Sequence, residues 1–147
     1  MIERRNSSGF TLIEVLAVLA ITTLILSLAL PMFGSTLTPA KLDAAAYRVA
    51  TLFENERYAA RRSGQPAIIE IRREARALNA KRTNITLNLP AQITLSTDAL
   101  SPCAQGDAVV IFYQDGRACA PLIHLTGSSL AVDIEISAVT GAISIVH

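Results

Sequence analysis

From Val15 to Ala40 the chain runs 26 residues without a charge, most of them Val, Leu, Ile or Ala. At about 1.5 Å per helical residue this run reaches roughly 39 Å, more than the ~30 Å hydrocarbon core of a bilayer. Few soluble domains can hide such a segment, so a membrane is its expected surroundings. Glu14 leads into the run, where a lone carboxylate costs about 2.5–3.5 kcal/mol on insertion scales. It therefore needs a partner. No later apolar stretch is long enough to span, so the mean hydropathy of +0.41 reflects this helix and leaves the remainder an ordinary globular domain. Arg4 and Arg5 ahead of the run place the bulk of the chain on the far side of the membrane.

The join itself reads Gly9-Phe10-Thr11-Leu12-Ile13-Glu14. Together with the short basic leader before it and the apolar helix after it, this string resembles the cleavage site of type IV prepilins and type II secretion pseudopilins. The resemblance implies a peptidase cut after Gly9, methylation of the new amine at Phe10, and pairing of Glu14 with the N-terminal amine of a neighbouring subunit. Opposite charges buried together neutralise each other, whereas either alone is costly. Two plainer readings remain. Thr11 and Glu14 stand three apart, as in a helix capping box. Arg4, Arg5 and the apolar run could also form an ordinary secretory signal cleaved near Ser27-Leu28-Ala29, although Glu14 in its core argues against that type.

The expected organisation is a leader over 1–9, a hydrophobic transmembrane and assembly helix over 10–33, and a periplasmic domain over 34–147. Pro31 should kink the first helix, and Gly34 weakens it further. Thr38-Pro39 reads as an N-cap followed by proline at the first helical position. Leu42, Ala45, Ala46, Val49, Leu52, Phe53 and Ala60 then recur at helical spacing up to Ser63-Gly64, with Pro66 beyond as a stop. After Pro66 the period changes to two. Seven short strands are expected over Ala67–Arg73, Ile85–Leu89, Ile93–Ser96, Ala108–Tyr113, Leu122–Leu125, Leu130–Ile136 and Ala142–Val146. Asp115-Gly116 and Thr140-Gly141 are turn signals between them. The fold class is α+β: a long N-terminal helix packed on a mostly antiparallel, β-rich domain.

The stretch Val110-Ile111-Phe112-Tyr113-Gln114-Asp115-Gly116, the strand–Thr140-Gly141–strand ending and the helix text Arg57-Tyr58-Ala59-Ala60-Arg61-Arg62-Ser63-Gly64-Gln65-Pro66 resemble the H-type minor pseudopilin (GspH/FimT) domain. This likeness implies a structural, non-enzymatic subunit at or near the tip of a short periplasmic filament; a minor type IV pilin for pilus assembly or DNA uptake, and a signal-anchored periplasmic enzyme or binding protein, are the alternatives. Its partners would be the other minor pseudopilins, the major pseudopilin, the prepilin peptidase and the inner-membrane secretion platform. Before assembly it would sit in the inner membrane as a single-pass protein.

Cys103 and Cys119 are the only cysteines. An even pair in an exported domain suggests one disulfide. Two cysteines with His124 and His147 lack metal-ligand spacing, and Asp98, Asp107 and Asp115 lack that of a calcium loop. No cofactor is expected, and no nucleophile motif joins the Ser, His and Asp residues. His124, within Leu122-Ile123-His124-Leu125, reads as a strand histidine, packed or exposed.

Charge is divided: residues 41–82 hold ten basic and five acidic side chains, residues 83–147 one basic and five acidic. The net of +5 against −4 suits ordered packing between subunits, though solvated faces give the same pattern. Arg57, Arg61, Arg62, Arg72, Arg73, Arg76, Lys81 and Arg82 form the basic run. Glu70 and Glu74 interrupt it and no aromatic follows Tyr58 for stacking, so a solvated face or subunit contact is preferred to a nucleic-acid surface.

Overall fold

The computed structural model describes residues 11–29, 37–98, 103 and 108–147, the side chains of 26–29 excepted. They form two units, divided between Thr36 and Leu37. In the first, helix α1 covers Leu12–Ala29, 18 residues or roughly 27 Å. Among the described residues no helix is long and apolar enough to cross a membrane. The expected span over 10–33 includes residues 30–33, which lie outside the described residues, as does the predicted kink at Pro31.

In the second unit, helix α2 runs Pro39–Ser63. Thr38 is its N-cap in extended geometry, Pro39 opens its first turn, and Gly64 closes it at φ +67 in the left-handed region. Every residue expected on its apolar face is buried, from Leu42 to Ala60. Glu56 is buried with them, which the spacing did not suggest.

Among the described residues nine strands follow rather than seven: β1 (Ala67–Arg72), β2 (Ala77–Ala80), β3 (Ile85–Asn88), β4 (Thr94–Thr97), β5 (Val109–Phe112), β6 (Ala118–Cys119), β7 (Ile123–Gly127), β8 (Leu130–Ile136) and β9 (Ile143–Val146). The additions are β2 and β6. In β2 the sequence Ala-Leu-Asn-Ala shows no alternation, because Ala77, Leu78 and Ala80 are all buried. β6 is only two residues long, too short for a period to register. All pairings are antiparallel. They make two sheets, in the orders β3-β2-β1-β5-β6 and β4-β7-β8-β9.

Both sheets contribute to one core around α2. Ile69, Leu78, Val110 and Phe112 come from the first, Leu95, Ile123, Leu125 and Ile134 from the second, and all are essentially inaccessible. Phe53 of α2 meets Phe112 of β5 with ring centroids 6.2 Å apart and planes tilted by 55°, a favourable aromatic arrangement. Every residue of this core lies between Leu37 and His147.

The turns follow the expected chemistry. The β5–β6 hairpin turns through Gln114-Asp115-Gly116, with the Gly116 N–H donating to the Tyr113 carbonyl at 3.1 Å and Gly116 at φ +93. A three-residue hairpin loop of this kind ends in a left-handed residue, which glycine supplies without strain. The β8–β9 loop closes through the Ser137 N–H on the Ala142 carbonyl and the Gly141 N–H on Ser137. These two loops touch: a Cβ on Gly141 would lie 2.5 Å from the Gly116 carbonyl oxygen and 3.3 Å from Arg57 Nε. Beside this contact the Ala118 N–H donates to the Ala138 carbonyl at 3.1 Å, tying the two sheets together at one end.

Candidate functional site

Gly9 and Phe10 lie outside the described residues, so the join is seen only from its helical side. There the Thr11 carbonyl accepts from the Glu14 and Val15 N–H groups at 3.1 and 3.3 Å, starting α1. Glu14 occupies the first turn, where the positive helix end favours a carboxylate. Leu12, Ile13, Val15, Leu16, Val18, Leu19, Ile21, Leu24 and Ile25 are all exposed. A helix apolar on every side is built to be surrounded. The Thr22 and Thr23 hydroxyls donate back to the Val18 and Leu19 carbonyls at 2.9 and 3.0 Å, so neither demands water. This unit can therefore enter an apolar environment with one charge on its described residues, at Glu14 near its start.

The basic run is dispersed. Arg57 pairs with Glu54 at 3.1 Å within α2, and Lys81 reaches Glu70 at 2.8 Å across the first sheet. The Lys81 ammonium donating to Glu70 holds that carboxyl below its ordinary range, with Arg72 adding to the effect. A groove of about 580 Å³ beside these residues is lined by Glu70, Arg72, Arg73, Glu74 and Lys81, mixing both signs. Tyr58 is exposed on α2.

The acidic residues disperse likewise. Asp115 accepts from the Arg117 backbone N–H and from its guanidinium, the first being the stronger cause of its lowered pKa. Asp107 lies outside the described residues, and among the described residues no cluster has the make-up of a metal site.

His124 has a more specific setting than its sequence context implied. It stands on the outer face of β7, opposite Asp133 of β8 and Ser96 of β4. Its Nδ1 lies 2.7 Å from Asp133 and its Nε2 3.1 Å from Asp98. The two carboxylates, Asp133 before Asp98, raise its pKa above the ordinary value. Ser96, His124 and Asp133 thus line up in register, but the nitrogen that a hydrolase would aim at a serine is held on Asp98. Nothing in the sequence pointed to the cluster of Asp98, His124 and Asp133, whose two carboxylates lie 26 and 9 residues from the histidine.

Two further features complete the domain. Glu56, fully buried, accepts from the Thr83 hydroxyl and so fixes the β2–β3 loop to α2. Cys103 and Cys119 are joined by a disulfide with Cα atoms 5.8 Å apart, tying the segment before β5 to β6.

The profile of the prokaryotic N-terminal methylation motif matches residues 4–30. The match is confined to this N-terminal segment, and it is to the prepilin-type motif found in type IV pilin-like proteins. No curated protein and no solved structure matches the chain.

Proposed function

We propose that this chain is a minor pseudopilin of the type II secretion apparatus, akin to the H-type subunit. It is a structural part at or near the tip of a periplasmic pseudopilus that helps export folded proteins across the outer membrane. The observation that carries the reading is the N-terminal methylation motif over residues 4–30, which ends in an all-round apolar helix headed by Glu14. The α2-centred domain with its two antiparallel sheets is compatible with the role, and its mixed-sign surfaces suit contacts with neighbouring subunits better than a nucleic-acid track. In this account the chain has no catalytic activity of its own. Residues 10–33 cross the inner membrane before assembly, and the domain lies in the periplasm.

The same motif serves minor type IV pilins, so a subunit for pilus assembly or DNA uptake is the second reading. Deleting the gene separates them. Loss of exoprotein release with twitching and transformation intact supports the pseudopilin, and the converse supports the pilin.

A further inference from the structure

The outer face of the second sheet carries an arrangement that the filament role does not use. We propose that Asp98, His124 and Asp133 form a proton-operated clasp that keeps the end of edge strand β4 on β7 while His124 is cationic and frees it when His124 loses its proton. The argument is one of donors and acceptors. Both ring nitrogens face carboxylate oxygens, at 2.7 and 3.1 Å. Only the doubly protonated imidazole donates to both; the neutral ring has one N–H, and its other nitrogen then turns a lone pair toward an anion. One of the two contacts must open.

The structure indicates which. Asp133 sits mid-strand in β8, which is paired on both sides, by β7 and β9. Asp98 follows a four-residue strand at the sheet edge, is the more exposed of the two carboxylates (55% against 39%), and makes the longer contact. Among the described residues it is otherwise tied there by a backbone bond from its N–H to the Leu122 carbonyl at 3.2 Å. The neutral ring therefore keeps Asp133 and lets Asp98 go, which loosens β4 and uncovers the β7 edge as a template for another strand.

The remaining charged groups reinforce the bias. Glu135 of β8 also points outward, β9 adds no charged side chain over Ile143–Val146, and the other histidine, His147, faces Asp43 of α2. No described basic residue of β4, β7, β8 or β9 competes for these carboxylates. Because the folded pKa of His124 lies above its ordinary value of 6.5, the clasp is fully closed below about pH 6.5. It is lost as the pH rises through that raised folded value.

Hydrogen exchange of the full chain in detergent micelles, corrected for intrinsic rates across pH, tests this alongside NMR titration of the two histidine rings. Protection over residues 94–98 should fall about tenfold as the His124 ring deprotonates, while that of β8 holds. In Asp98→Asn and in His124→Gln the step should vanish, with Asp98→Asn also moving the His124 titration down. A step that persists in both variants overturns the clasp. So does a wild-type β4 whose protection is flat through the titration, or a His124 that titrates at or below the ordinary value.

Discussion

Replacing Gly141 by alanine probes how closely the two hairpin loops are packed. Two costs combine at this position. Gly141 sits at φ +63, where any residue with a Cβ loses about 1–2 kcal/mol. The new methyl would also lie 2.5 Å from the Gly116 carbonyl oxygen, a backbone atom that cannot swing aside, with Arg57 Nε at 3.3 Å. Overpacking of this kind costs typically 1–3 kcal/mol. The sum, about 2–5 kcal/mol, corresponds to a Tm loss of roughly 8–20 °C for a domain of this size. Gly64 supplies the control. Its φ is +67 but nothing lies within 4 Å of the Cβ position, so Gly64→Ala should lose only the backbone part, roughly 4–8 °C. Circular-dichroism melts of both variants, with urea titrations to give the free energies, measure the difference. Equal losses in the two would refute the loop–loop contact as an energetic feature of the fold.

Three further outcomes follow from the core and the cross-links. Phe53→Ala removes a fully buried ring from the junction with Phe112 and should cost about 3–5 kcal/mol in urea titration. Thr83→Ala leaves the buried Glu56 carboxylate without its hydroxyl donor, and a loss of about 1–3 kcal/mol is expected by the same assay. Thiol titration of denatured, unreduced protein should find no free sulfhydryl, and reduction should lower stability by roughly 3 kcal/mol for a sequence separation of 16.

Much of the architecture was legible because it obeys period and punctuation. The α2 boundaries were set by Thr38-Pro39 and Gly64, and its buried face by spacing alone. The strand Leu130–Ile136 has the predicted ends because its alternation is bounded by a turn on one side and by Ser137 on the other. What escaped depends on three-dimensional neighbours. β2 is buried on both faces and so lacks a period, and β6 is held by its partner β5. The burial of Glu56 is decided by Thr83, 27 residues away. The two-sheet layout follows from non-local pairings such as β1 with β5, which no local pattern encodes. The proposed N-terminal site is of the opposite kind. Its chemistry would be carried by residues close in sequence, so Gly9, Phe10 and Glu14 stand in one line of text. His124 had no such signal, since its carboxylates arrive from β8 and from the residue that follows β4.

The central claim is that this chain is cut after Gly9 and assembled through the new end. Mass spectrometry of the mature N-terminus, purified from cells that hold the prepilin peptidase, tests it most directly. The account predicts a chain that begins at Phe10 with a methylated amine. A chain that retains residues 1–9, or one that begins after Ala29, would contradict it.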